Sequence, residues 1–262
     1  MRKSLIVFVL LFIVMRVAGQ DYQLVYTIPF NYGKFTTDPI GNCYIYSKGD
    51  ITKFNPDGLE TARYSSRDFG DISFVDATNA LKIVVVFKEF SKAVILDAAL
   101  APQATIDLSF PGIPYVNVIC SSRESGYWIV DPIGKQIRKL NDQLSIVIDG
   151  TPFRQVSGSE IEPLILIDSG NWLVLNTNGN GLLIFDRFGT YYKTIMDVPP
   201  VQFQANGHDL LYKDGTGMVK IDIRSGKTDR FLLPENKEDD RCRVEGNRIF
   251  IKSLNTLKIY TY

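Results

Sequence analysis

Apolar residues along this chain come in short runs bounded by Gly, Asn, Asp or Pro, and the runs recur with a long period. One line repeats: an apolar strand ending in an aromatic or aliphatic anchor, then Asp or Asn, then a turn. It reads Ile51-Thr52-Lys53-Phe54-Asn55-Pro56-Asp57-Gly58, and again Leu182-Leu183-Ile184-Phe185-Asp186-Arg187-Phe188-Gly189. Weaker copies end at Leu96-Asp97, Leu140-Asn141 and Ile221-Asp222, with a last one at Leu257-Lys258-Ile259-Tyr260. The anchors Phe54, Leu96, Leu140, Phe185, Ile221 and Ile259 lie 42, 44, 45, 36 and 38 residues apart.

Upstream of each anchor a tight turn feeds another strand. Gly41-Asn42, Gly126, Gly170-Asn171, Gly207-His208 and Gly246-Asn247 occupy it, with Thr78-Asn79-Ala80 in the second unit. Gly and Asn tolerate the positive φ that tight turns between strands require. Each unit of about forty residues therefore holds four strands, the content of one β-propeller blade. No stretch sustains a 3.6-residue period, so little helix is expected.

The expected fold is all-β, a six-bladed β-propeller, with blades near 34–66, 71–109, 115–150, 163–198, 201–234 and 241–262. The last unit holds three strands. Tyr22–Ile28, which has no blade of its own, should supply its outer strand and so close the ring, removing two unpaired edges.

The first nineteen residues read as a leader rather than as part of the fold. Arg2 and Lys3 precede an apolar run from Leu5 to Met15, and Val17-Ala18-Gly19 supplies small residues for cleavage. Eleven apolar residues make about 16 Å of helix, roughly half a bilayer core, so a membrane anchor is the weaker reading. The expected organisation is a cleaved leader, 1–19, and a single propeller domain, 20–262, exported to the periplasm without membrane insertion. Cleavage removes three basic residues and no acid, taking the net charge from zero to −3.

With 45% hydrophobic and 22% charged residues the chain has a globular balance, not that of a disordered one. Its even charge argues against a nucleic-acid binder. Cys43, Cys120 and Cys242 are odd in number and lack metal-ligand spacing, so buried thiols are expected rather than a zinc site or a full set of disulfides. Nucleophilic catalysis of the Ser-His-Asp or Cys-His kind needs a histidine, and the chain has one, His208, in a turn. Trp128 and Trp172 stand at equivalent places after a turn Gly and are expected to pack between blades.

Asp38-Pro39-Ile40-Gly41-Asn42 with Phe54–Gly58, and Asp168-Ser169-Gly170-Asn171 with Phe185–Gly189, resemble the blade pattern of the NHL-type six-bladed propeller family. That resemblance spans nearly all of the chain after the leader and implies architecture rather than chemistry. The Asp and Gly residues themselves read as turn formers. Six-bladed lactonase-type propellers hold calcium at the channel with Glu, Asn and Asp oxygens. Here Asn117, Asp168, Asn206 and Glu245 are the positions that could contribute, and no local motif marks them.

In a propeller the inter-blade connections and the second-to-third-strand loops share one face, the top. Arg67, Asp68, Phe69, Phe90, Phe110, Phe153 and Arg154 fall there, and aromatics beside arginines suit protein contacts. The leader followed by Gln20, together with size and layout, is similar to the family of periplasmic plug subunits of the type IX outer-membrane translocon. That similarity implies a non-enzymatic interaction module, without cofactor, whose partner is a translocon barrel. The rival expectation is a small-ligand propeller: a calcium-dependent lactonase-like hydrolase, or a sugar or peptide sensor.

Overall fold

The computed structural model describes residues 21–109, 113, 115–196, 198, 203–215, 217–235 and 241–262. The leader and Phe110 lie outside these residues. The chain opens with β1 (Gln23–Pro29) and then forms six blades. The first is β2 (Lys34–Thr37), β3 (Cys43–Ser47), β4 (Asp50–Phe54) and β5 (Glu60–Ser65). The second is β6 (Phe74–Asp76), β7 (Ile83–Phe87), β8 (Lys92–Leu96) and β9 (Pro102–Asp107). The third is β10 (Ile119–Ser121), β11 (Tyr127–Asp131), β12 (Gln136–Leu140) and β13 (Ile146–Asp149).

The fourth is β14 (Pro163–Asp168), β15 (Trp172–Thr177), β16 (Leu182–Asp186) and β17 (Tyr191–Ile195). The fifth is β18 (Phe203–Asn206), β19 (Asp209–Asp214), β20 (Gly217–Asp222) and β21 (Thr228–Leu232). The sixth takes β22 (Arg241–Glu245), β23 (Arg248–Ser253) and β24 (Thr256–Thr261) from the end of the chain. Its outer strand is β1, paired antiparallel with β24 from Gln23↔Thr261 to Pro29↔Thr256. The expected six-bladed ring, closed by its opening strand, is what the chain forms.

Second and third strands are sandwiched between neighbouring blades, so they carry near-continuous apolar runs rather than alternation. Every residue of β7 and of β11 is buried. Outer strands face solvent and are mostly exposed, as in β1 and β9. The core is consequently six clusters, each shared by two blades. Blades one and two share Tyr44, Ile51, Val85 and Leu96; blades six and one share Ile28, Phe30, Cys43, Phe250 and Ile259. The closing interface is built like the other five.

The third-to-fourth-strand turn explains the repeat. In blades one to four Asn55, Asp97, Asn141 and Asp186 each accept two backbone N–H bonds through one side-chain oxygen, from the residues two and four further on, at 2.8–3.1 Å. The residue three after the anchor's Asx takes positive φ in all four: Gly58, Leu100, Leu144 and Gly189. The two glycines lie flat against an aromatic of the preceding blade. A Cβ on Gly58 would come within 2.4 Å of the Tyr26 ring, and one on Gly189 within 3.2 Å of Trp128. Leu100 instead fills the core at 2% exposure. Blades one and four show the strong motif because their turns meet a ring there.

A short helix, α1 (Phe153–Ser157), sits in the long connection between blades three and four. Gly158 at φ 73° ends it, its N–H bonded to the Arg154 carbonyl. All three cysteines are buried thiols, as expected. Among the described residues no helix is long and apolar enough to cross a membrane.

Candidate functional site

The six first strands run in the same sense around a central cavity of about 260 Å³. Their starts lie at the top face, where chain enters from the previous blade. Four cations line this cavity: Lys34 at the start of β2, Arg241 and Arg243 on β22, and Lys88 on a single 3-10 turn, Lys88–Phe90, between β7 and β8. Asn117 joins them, and Val118, Leu164 and Phe203 form an apolar wall on blades three to five. Among the described residues one carboxylate, Asp76, also lines it.

The cations are held differently. Lys34 Nζ donates to the Ser73 carbonyl at 3.2 Å. Lys88 has its side-chain ammonium pushed below the ordinary lysine range, by burial first and then by Lys34. Arg243 lies deeper, with 21% of its side chain exposed, and donates through Nε to Thr37 Oγ1 at 2.7 Å. Its guanidinium is 3.8 Å from Glu245. Among the described residues Lys34, Lys88 and Arg241 form no ion pair.

Towards the lower ends of the first strands, polar side chains stitch blade to blade. Asp76 accepts from Ser121 N–H at 2.7 Å and from Thr78. Asp168 accepts from Arg123 N–H at 3.1 Å and Gly170 N–H at 2.7 Å. Ser169 Oγ donates to the Gly207 carbonyl at 2.9 Å. Glu245 accepts from Gln204 Nε2 at 2.8 Å and Thr37 Oγ1 at 2.6 Å. Burial raises the carboxyls of Asp76 and Glu245 above the ordinary range, the second against the opposing pull of Arg243.

These bonds bear on the calcium reading. Asp168 and Glu245 are spent on neighbouring blades, and Asn206 is exposed at the end of β18. Asn117 lines the cavity near its mouth, at the other end of the first strands. The four are not brought together. Among the described residues no three His, Cys, Asp or Glu side chains converge as a metal site would require.

The top-face loop residues separate likewise. Arg67 and Asp68 are exposed at the junction of blades one and two. Phe90, 52% exposed, lies on the same side beside Gly70. Phe69 is half-buried, its ring 5.5 Å from Phe87. Arg154 is exposed on α1, two junctions further round. Phe153 is 1% exposed and packed on Phe185, so its ring belongs to the core and is not available to a partner.

The tryptophans are not equivalent. The anchors Leu140 and Phe185 pair with Tyr127 and Leu173, so Trp172 corresponds to Gly126 and not to Trp128. The offset is two residues, which keeps the same strand face, so Trp172 packs at the edge of the cluster shared by blades four and five. Trp128 is buried between blades three and four. Trp172 is half-buried at the lower edge, stacked on Tyr192 at 4.8 Å, and its indole N–H donates to His208 Nδ1 at 3.1 Å. His208 is an exposed turn residue as expected, far along the strands from the cavity mouth.

The cationic mouth escaped sequence reading. Its one signal is a basic residue opening a first strand in two units, Lys34 and Arg241.

No family model and no curated protein sequence matches the chain. Among solved structures it is similar to virginiamycin B lyase from Staphylococcus aureus, a catalytically inactive His-to-Ala variant with quinupristin. The TM-score is 0.60 at 14% identity, over 92% of this chain and 100% of that one. It is also similar to the WD40 domain of Pan2 from Neurospora crassa (0.57, 7%, 93% of this chain and 97% of that one). A third likeness is the extracellular domain of the putative one component system BT4673 from B. thetaiotaomicron (0.52, 11%, 87% and 33%). At these identities the likeness is one of fold, a β-propeller.

Proposed function

We propose that the chain is a non-enzymatic, periplasmic propeller that docks a protein partner on its top face, with size and layout fitting it to close an outer-membrane protein-export channel of the type IX kind. The observation that carries this reading is a rigid ring presenting Arg67, Asp68, Phe90 and Arg154 to solvent on one face. Exposed Arg and aromatic side chains held by a stiff scaffold suit contact hot spots. Capture from native outer membranes tests it: the wild type retains a large barrel protein, and Arg67→Glu with Arg154→Glu loses it. Retention by the double variant overturns the placement, and recovery of the wild type as a lone monomer overturns the partner.

The central cavity supports a second reading, a small-ligand propeller. The lyase likeness adds little to it. That neighbour's inactive form lacks a histidine, whereas His208 here bonds Trp172 at the face opposite the cavity mouth. A stoichiometric calcium in purified protein would favour the hydrolase version.

A further inference from the structure

The cavity described above gathers its cations on one side, among apolar residues such as Phe35 and Phe74, and has an apolar wall on the other. Lys34 and Lys88 come from blades one and two, and Arg241 and Arg243 from blade six. Val118, Leu164, Leu166 and Phe203 come from blades three to five. Among the described residues Arg243 has Glu245 beside it, Lys34, Lys88 and Arg241 have no carboxylate partner, and the lining carboxylate, Asp76, is already engaged by three donors. Like charges gathered in a partly desolvated hollow repel one another, and the Lys88 ammonium is depressed by burial first and by Lys34 second. An anion seated among them relieves that repulsion, and charge-assisted hydrogen bonds in a low-dielectric site are the strong kind.

An inorganic anion would leave the opposite wall in contact with water. A ligand with an apolar body satisfies both sides. At about 260 Å³ the cavity falls just under the range of about 300–1,000 Å³ usual for drug-sized ligands.

We infer that this cavity is a binding site for a small organic carboxylate with an aromatic or branched apolar body. The carboxylate sits among Lys34, Lys88 and Arg241, with Asn117 within the same mouth, and the body lies on Leu164 and Phe203. The same chemistry is offered by a free organic acid and by the C-terminal carboxylate of a short apolar peptide tail. The site stands whether or not the top face docks a barrel protein.

Calorimetric titration of the folded mature chain tests it, with 3-phenylpropionate and its uncharged amide as probes. The acid is expected to bind saturably, and the amide about tenfold or more weaker. Binding of the acid should weaken several-fold between low salt and about 0.5 M salt. Arg241→Gln and Lys88→Gln, both at exposed positions, should each lower affinity for the acid about fivefold or more with unchanged circular dichroism. A parallel arm uses the peptide Gly-Ser-Leu-Phe with a free or amidated C-terminus. Free peptide tighter than 3-phenylpropionate assigns the source to a protein tail, and the reverse assigns it to a free acid. No saturable binding of either probe up to about 10 mM overturns the proposal. So does equal binding of acid and amide, or affinity untouched in both Gln variants.

Discussion

Gly58 carries two demands at once. Its φ is +81°, and the Tyr26 ring of the neighbouring blade lies where a Cβ would go. Gly226 occupies the comparable turn of blade five at φ +74° with nothing within 4 Å. Gly226→Ala should therefore cost the backbone term alone, about 1 kcal/mol, and Gly58→Ala about 2–4 kcal/mol. Urea denaturation of both variants measures the difference, and equal losses would remove Tyr26 from the account. Glu245 makes a second residue-scale case. Burial raises its carboxyl above the ordinary 4.5, with Arg243 opposing and Asp38 adding to the shift. The folded state then holds the proton more tightly than the unfolded state. That contribution is complete below pH 4.5 and is lost as pH rises through the folded value. Glu245→Gln keeps an oxygen for Thr37 and Gln204 and abolishes the titration. Unfolding free energy plotted from pH 4.5 upward should flatten in the variant; an unaltered slope would reassign the effect to Asp76, which burial also raises.

At the scale of elements, α1 separates structure from recognition in adjacent residues. Phe153→Ala removes a ring packed on Phe185 and should cost about 3–5 kcal/mol. Arg154→Glu, at an exposed position, should leave stability within about 0.5 kcal/mol while weakening partner capture. If Phe153→Ala proves mild, the connection is not anchored as described. The same contrast shows what was legible in the sequence. Strands, turns and blade number follow from local rules, because an Asx oxygen and a positive-φ residue announce each turn in four consecutive letters. Phe153 looked like a surface ring because it lies in a loop, yet the loop folds it inward together with Ile161. Trp172 was misplaced by two positions, an error the turn glycine invites: blade four carries two more residues than blade three between the turn glycine and the residue paired with the anchor. The candidate site was illegible for a stronger reason. Lys34, Lys88, Arg241 and Arg243 are separated by up to 209 positions and share no motif; only ring closure brings them to one mouth.

Ring closure is also where the whole molecule can be tested. In five blades all four strands are contiguous, but the sixth draws β1 from the other end of the chain. The two ends therefore interlock through a ladder running from Gln23↔Thr261 to Pro29↔Thr256, beside the side-chain contacts shared by every junction. That ladder also places Tyr262 next to Asp21, so a short linker can join them and the chain can be opened elsewhere. Opening between Ser225 and Gly226, in the turn before β21, makes a chain that begins with an outer strand and ends with a third strand. The interlock is thereby moved to blade five. Opening between Gly158 and Ser159 falls between blades three and four, leaves every blade contiguous, and abolishes the interlock. If the shared ladder holds the ring shut, the first permutant should unfold close to the wild type. The second should unfold several degrees lower, since a loss of about 2 kcal/mol shifts a domain of this size by about 4–8 °C. Its single interface without a crossing strand should also open first, seen as faster amide exchange in β10 and β14, the first strands flanking the cut. Equal melting temperatures would mean that the side-chain clusters alone keep the blades together, and that the borrowed strand serves to cover an edge rather than to close the ring.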